Sequence, residues 1–206
     1  MKRVIGVTGG VGSGKSQVLA ILSQDFNARV ILADQVAHSL MEPGEKGYSQ
    51  VIAALGTSFL KPDGQIDRKK LADLIFSDKK ALETMNRIIH PMTWAAVKEM
   101  AESAPEELII VESALMGEEQ RADYEEIWYI YVSKEERIRR LMKNRGYSRN
   151  KCLDIMASQK GEEDFRAISD RVIDNNGSLG DTKRQIEMLL SSENTGKGIN
   201  RNHEIC

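Results

Sequence analysis

The stretch at residues 9–16 reads Gly9-Gly10-Val11-Gly12-Ser13-Gly14-Lys15-Ser16. It matches the pattern G-x-x-x-x-G-K-[ST], in which glycines let the backbone curl until its N–H groups point inward. Those groups and the N-terminus of the following helix together form a phosphate site. A chance match in 206 residues has odds on the order of one percent at average glycine usage. The stretch therefore predicts a site for a nucleoside triphosphate.

The motif also predicts roles for single side chains. Lys15 is expected to reach the β- and γ-phosphates of ATP, and the hydroxyl of Ser16 is expected to bind Mg²⁺. The residues expected to contact the nucleotide from this loop are Gly10, Val11, Gly12, Ser13, Gly14, Lys15, Ser16 and Gln17. A GTP switch is disfavoured because the nearest segment to its N-K-x-D signature, residues 150–153, lacks the final aspartate.

Apolar runs on both sides of the loop predict the fold. Residues 4–7 form a short apolar run before it, and apolar residues recur at helical spacing in 17–22 after it. Four more short apolar runs read as strands, at residues 29–32, 108–111, 127–132 and 171–173. Strands that alternate with helices predict an α/β fold, here a P-loop kinase with a parallel five-stranded sheet flanked by helices.

The chain is predicted to form one domain over residues 1–190. The mostly helical segment 49–103 interrupts the alternation and is predicted to be an inserted cap, with a break or kink at His90-Pro91. Residues 134–165 are expected to form a lid. Residues 191–206 are polar, rich in Gly and Asn and without periodicity, so we expect a disordered tail.

Composition narrows the class of partner. Lys and Arg total 29 and Asp and Glu total 31, which argues against bulk nucleic acid as the main partner, although a local basic patch stays possible. No apolar run approaches the 18 residues that a membrane span needs. Two cysteines rule out a disulfide scaffold and favour a reduced, cytoplasmic setting. The composition leaves the oligomeric state open.

Beyond the loop, five further segments occur in an order and spacing that resemble those of dephospho-coenzyme A kinases. They are Ala33-Asp34, GQIDRKKLADLIFSD at 64–78, Ile89-His90-Pro91, Ala157-Ser158-Gln159 and DRVIDNNGS at 170–178. The likeness covers the chain up to about residue 190. The resemblance implies transfer of the ATP γ-phosphoryl group to the ribose 3′-hydroxyl of dephospho-CoA, with segment 49–103 holding that acceptor.

The resemblance also bears on residues outside the loop. Asp34 follows a strand and precedes a helix, so it reads as a helix N-cap or as the group that accepts or orients the proton of the acceptor hydroxyl. Glu112 ends a strand, where it reads either as a surface charge or as a carboxylate that holds Mg²⁺ through water. Both readings stay open for each residue.

Further residues are placed by the family pattern. Arg140 matches the lid arginine by position, within a cationic run at 137–149 of which most members read as a solvated helix face. Asn175 and Asn176 lie in the loop that the family places against adenine, which also reads as a plain turn. Arg68 and His90 match positions that line the acceptor pocket. Arg68 also reads as an exposed charge at a helix start, and His90 also reads as a packed, hydrogen-bonded histidine.

Three departures from the family pattern stand in this chain. The usual Asp-Ala-Asp is Leu32-Ala33-Asp34, the usual D-x-P-L-L-F-E begins Glu112-Ser113-Ala114, and the usual Arg-Asp of the lid is Asn144-Arg145. They keep two alternatives open: a small-molecule kinase of the nucleoside-monophosphate type, and a nucleotide-binding regulatory protein without turnover. A nucleic-acid-stimulated ATPase is a remoter third.

Overall fold

The central element is a five-stranded parallel sheet, as predicted. A computed structural model of the chain describes residues 2–114 and 116–191. The strands are β1 (Arg3–Thr8), β2 (Arg29–Leu32), β3 (Leu108–Glu112), β4 (Glu126–Tyr131) and β5 (Arg171–Asp174). They lie in the order β2-β3-β1-β4-β5. Each run of β-branched and aromatic residues that the sequence singled out forms a strand, because such runs fit a sheet covered on both faces.

Helices connect the strands and cover both faces of the sheet. They are α1 (Lys15–Asp25), α2 (Ala33–Ser39), α3 (Lys46–Leu55), α4 (Arg68–Ser77), α5 (Lys79–Ser103), α6 (Lys134–Arg145), α7 (Arg149–Ala157), α8 (Glu162–Ile168) and α9 (Leu179–Ser191), with a 3₁₀ turn at Glu118–Asp123. The side chains of Asp67 and Asp78 accept backbone N–H bonds at the starts of α4 and α5. Each cap fixes the start of its helix, so α5 can begin at Lys79 directly after α4 ends at Ser77.

Of the predicted break or kink at His90-Pro91, the break is wrong, because α5 runs through Pro91 without ending. Proline removes one helical hydrogen bond, which normally favours a break. Here the helix buries a continuous face that includes Ile89, Thr93 and Val97, and it packs against α2, α3 and α4. Burial of that face outweighs the lost bond.

The hydrophobic core has a layer on each face of the sheet, a separate cluster among the helices of segment 49–103 and a fourth, smaller cluster around Ile138, Leu141 and Cys152. One layer packs α1 and α9 against the sheet through residues such as Leu22, Trp128 and Ile186. The separate cluster is built on Val51 and Phe59, together with Leu71 and Ile89. The first part of the segment 49–103 thus packs around this cluster, whereas Val97 and Ala101 in the later part of α5 belong to the layer against the sheet.

The order of strands fixes where a ligand can bind. The chain passes from β1 to β2 on one side and from β3 to β4 on the other, so the direction of the connections reverses between the neighbouring strands β1 and β3. Ligands of such sheets bind at the carboxyl ends of the strands at this point. The phosphate loop begins directly after β1, and Val7 pairs in register with Glu112 at the end of β3. The topology therefore brings Glu112 next to the loop.

The last helix ends at Ser191, one residue into the segment predicted to be a tail. The rest of that segment lies outside the described residues. In the described part of the chain, no helix is both long and apolar enough to cross a membrane.

Candidate active site

A cleft of about 1010 Å³ opens at the carboxyl edge of the sheet. Its lining brings together most of the residues singled out from the sequence: the loop residues 10–17, Asp34, Glu112, Arg140 and Asn175. All three departures from the family pattern contribute to the same lining, through Leu32, Ala114, Asn144 and Arg145. The cleft therefore holds both the expected residues and the unusual ones.

The phosphate loop is held by Asn175 from the far end of the chain. The amide Nδ2 of Asn175 donates to the carbonyl of Ser13 at 2.8 Å, and its Oδ1 accepts from the Thr182 hydroxyl at 2.7 Å. Gly14 has φ +84°, and a Cβ there would overlap the Asn175 amide. The loop thus needs glycine at position 14 both for its backbone conformation and for this close approach.

Lys15 is the first residue of α1, and its side chain reaches back over the phosphate loop. Its Nζ donates to the carbonyl of Gly9 at 2.6 Å and stands 3.5 Å from Oε1 of Glu112. Burial lowers the pKa of Lys15 and raises the pKa of Glu112, although each charge opposes the shift of the other. The desolvation of both groups outweighs their ion pair, so the site gains when an anion approaches Lys15.

Arg140 borders the loop at its Gly14 end. Its Nη2 donates to the carbonyl of Asn175 at 2.7 Å, and its Nε donates to Glu136 at 2.8 Å. Nη1 of Arg140 and the hydroxyl of Ser13 are buried without a hydrogen-bond partner in the described residues. Orphaned buried donors are costly, and two of them beside one phosphate loop fit an anionic ligand.

Asp34 is exposed in the first turn of α2 and lines the cleft. It does not cap the helix: the N-cap is Leu32, and no side-chain hydrogen bond is made there. The N-cap interpretation of Asp34 is therefore wrong. Asp34 is close enough to Lys15 and Glu112 to influence the pKa of both groups, after burial and the Lys15–Glu112 pair. Its carboxylate thus lines the cleft without forming a cap hydrogen bond to α2.

The oxygen atoms of the cleft suit Mg²⁺ only when phosphate oxygens also bind the ion. Ser16, Asp34 and Glu112 offer hard oxygen atoms to the cleft. Throughout residues 2–114 and 116–191, no cluster of three or more acidic, His or Cys side chains is arranged to hold a metal by itself. Mg²⁺ commonly binds through one or two protein oxygens, substrate phosphates and water, and these residues fit that mode.

A second cleft, of about 500 Å³, lies between α2 and the inserted helices. Its apolar wall includes Met41, Leu71 and Ile75. Arg68 and His38 stand on its polar side, where Nη1 of Arg68 donates to Nδ1 of His38 at 2.9 Å. Burial and the Arg68 charge lower the pKa of His38, which favours the neutral form of the ring. The predicted acceptor residue Arg68 thus lies in a cleft.

Two predicted site residues lie apart from the clefts. His90 is exposed on α5 and is among the lining residues of neither cleft. Asn176 is exposed, and its Oδ1 accepts the backbone N–H of Ser133 at 3.0 Å, so it joins the β4–α6 and β5–α9 loops. The side chain of its neighbour Asn175 is hydrogen-bonded to the phosphate loop. The predicted roles of these residues toward ligands stay predictions.

Sequence reasoning missed three residues that shape the loop. Nε of Arg137 donates to the carbonyl of Val11 at 2.9 Å. The backbone N–H of Val11 donates to Oε1 of Gln159, also at 2.9 Å. Thr182 fixes the Asn175 amide, as described above. Arg137 stands three residues before Arg140, which places both on one helix face, and this spacing was the available signal.

Comparison with known proteins agrees with this geometry. A family model described as dephospho-CoA kinase matches residues 3–181. A dephospho-CoA kinase of Geobacter sulfurreducens is 38% identical over 194 residues, which cover 90% of this chain and 96% of that protein. One of Carboxydothermus hydrogenoformans is 36% identical and covers 91% and 92%. The solved dephospho-CoA kinase of Campylobacter jejuni, at 21% identity, shares the fold with a TM-score of 0.67 over 95% of this chain and 100% of its own.

Proposed function

The chain belongs to the dephospho-CoA kinase family, and we propose that it transfers the γ-phosphoryl group of ATP to the ribose 3′-hydroxyl of dephospho-CoA, giving coenzyme A and ADP. The first cleft takes ATP through the phosphate loop. The second cleft takes the acceptor. The proposal requires that a single group at the junction of the clefts meets the acceptor hydroxyl.

Helix α2 supplies that junction, and this observation carries the proposal. Asp34 lines the first cleft and His38 lines the second, four residues apart on one face of the helix. An acceptor seated against His38 therefore reaches Asp34 along one turn of helix, about 5–6 Å. At that place the Asp34 carboxylate orients the 3′-hydroxyl and accepts its proton as the phosphoryl group moves.

The chemistry of the second cleft suits the rest of dephospho-CoA. Apolar side chains such as Met41 and Ile75 match the methyl-bearing pantetheine arm, and the cationic side chains of Lys61, Arg68 and Lys69 match its diphosphate. The exposed guanidinium of Arg68 already bridges His38 and Glu42. It is held where a diphosphate passes from one cleft to the other.

The ATP side uses charges already in place. Lys15 binds the β- and γ-phosphates, and Ser16 with Glu112 holds Mg²⁺, which when bound draws charge from the phosphates. Arg140 supplies its free Nη1 to the nucleotide. Residues 134–165 act as the lid that excludes water, since water in the closed site would hydrolyse ATP. A cytoplasmic location stays a prediction from composition.

An acceptor panel tests the proposal. ADP release is measured with ATP, Mg²⁺ and each of dephospho-CoA, AMP and CMP. We expect dephospho-CoA to have the highest kcat/KM by at least 10³-fold, because a pocket built to bind diphosphate and an apolar arm leaves its polar groups unpaired with a shorter acceptor. Equal or greater efficiency with a nucleoside monophosphate would support the monophosphate-kinase alternative instead.

A further inference from the structure

Among the residues that the structure describes, no acidic side chain pairs with Arg137. It lies on α6, and its contacts are the carbonyl of Val11 at 2.9 Å and Oε1 of Gln159 at 3.4 Å, both neutral oxygens. No carboxylate within the described ranges lies at ion-pair distance from it, and Glu162 acts only from farther away. The neighbouring Arg139 and Arg140, in contrast, both pair with Glu136.

An unpaired guanidinium is unusual in this position because it is half-buried. Burial lowers the pKa of Arg137, and such a cation normally recovers its desolvation cost from an anion. Its Nη2 is so close to the backbone of Gly10 that a Cβ at position 10 would overlap it. The charge of Arg137 is therefore aimed at the phosphate loop and satisfied there only by neutral acceptors.

The position of Arg137 along the loop identifies the phosphate concerned. Lys15, the residue that reaches the β- and γ-phosphates, places its Nζ on the carbonyl of Gly9. The terminal phosphate therefore lies toward the Gly9–Val11 end of the loop, the end that Arg137 contacts, although Arg137 is not itself among the residues that line the first cleft. Arg140 lies at the other end, near Gly14 and Asn175.

We propose that Arg137 binds the terminal phosphate of ATP, with Val11 and Gln159 holding its guanidinium in place. Gln159 serves this role because its amide oxygen accepts from both Arg137 and the Val11 N–H, which orients the fork and leaves its charge intact. The inference rests on ATP binding at the loop, as in the proposed function, and adds a second cation beside Lys15 at the group that is transferred.

Separate titrations with ATP and ADP test the inference, because only ATP has the terminal phosphate. We expect Arg137→Gln to raise the Kd for ATP by about 10- to 100-fold, the range for a hydrogen bond to a charged group. The Kd for ADP should change by less than about threefold. Arg137→Lys, which keeps the charge, should show a smaller loss that is again confined to ATP.

Lys183→Gln is the control, since Lys183 pairs with Asp25 at 3.0 Å, lies outside residues 134–165 and lines neither cleft. In this control, the Kd values for ATP and for ADP should both stay within about twofold of wild type.

Two results overturn the inference. An equal loss of ATP and ADP binding in both Arg137 variants would mean that Arg137 only holds the loop. Unchanged binding of both nucleotides would exclude any role of Arg137 in binding. If Arg137→Gln does not fold, the Lys variant decides by the same comparison. A wild-type protein that binds neither nucleotide would refute the proposed function itself.

Discussion

Lys15 and Glu112 face each other at 3.5 Å across the ends of the neighbouring strands β1 and β3. Burial lowers the pKa of Lys15 below its ordinary value of 10.5, while Glu112 opposes that shift. Because only the charged ammonium attracts phosphate, ATP affinity should fall as the pH rises through this lowered pKa, before pH 10.5 is reached.

Glu112→Gln tests that electrostatic relationship. The variant removes the carboxylate that keeps the Lys15 pKa from falling further, so the alkaline loss of ATP binding should move to lower pH. The measurement is an ATP titration between pH 7 and 10.5 without Mg²⁺, so that metal binding by Glu112 does not contribute. A loss that stays at the wild-type pH, or moves to higher pH, would show that Glu112 does not control the charge of Lys15.

Lys15→Ala should reduce turnover by at least about 10³-fold, since it removes the cation at the transferred phosphate while the backbone donors of the loop remain. Turnover is measured as acceptor-dependent ADP release. Lys183→Ala is the control, because Lys183 pairs with Asp25 at 3.0 Å on α9 and lines neither cleft. Near-normal turnover in a folded Lys15 variant would place the catalytic nucleotide elsewhere.

Asp34→Asn separates proton transfer from helix stability. Asp34 makes no cap bond to α2, so the melting temperature should not change. Turnover should fall by roughly 10²–10⁴-fold, the usual contribution of a general base, because an amide cannot accept the hydroxyl proton. ATP affinity should change little. A variant that melts normally and retains turnover within about threefold of Asp25→Asn, an exposed control, would remove Asp34 from the mechanism.

Arg140→Ala should lower turnover more than it weakens ATP binding, because the contribution of a lid cation is greatest in the closed state. Its Nη1 is already buried without a partner among the described residues, ready for a ligand. Steady-state kcat is compared with the Kd for ATP, and Lys183→Ala, outside residues 134–165, serves as the control. If the KM for ATP rises while kcat is unchanged, Arg140 is a ground-state contact only.

Arg68→Ala should raise the KM for dephospho-CoA by about tenfold, equivalent to one hydrogen bond to a charged group, with no change in ATP affinity. Arg68 lines the second cleft and is not among the residues of the first. Lys70→Ala, on the same helix but outside the lining, is the matched control. An unchanged KM would remove the diphosphate from this part of the cleft.

The sheet could be predicted because its signals are local. The glycine pattern at 9–16 and each apolar run carry their meaning within about ten residues, and the five strands follow from them. The continuity of α5 through Pro91 could not be predicted in that way. It depends on the burial of Ile89 and Thr93 against other helices, and tertiary packing of this kind overrides a local breaker.

Part of the site was predictable because its signals are also local in the sequence. Lys15 and Ser16 belong to a contiguous motif, whereas Asn175 meets Ser13 across 162 residues, a contact that only the folded sheet creates. Arg137 was hidden in a cationic run, since a buried arginine and a solvated one look alike in sequence. The side-chain contacts of the folded chain show which of these cations reach the loop.

Direct analysis of the product tests the central claim. The protein is incubated with ATP, Mg²⁺ and dephospho-CoA, and ADP and coenzyme A are separated by chromatography and quantified. The account predicts that both appear in equal amounts, and that ADP release falls to background without dephospho-CoA or in Lys15→Ala. ADP formed at the same rate without acceptor, or no coenzyme A in a protein that binds ATP, would contradict it.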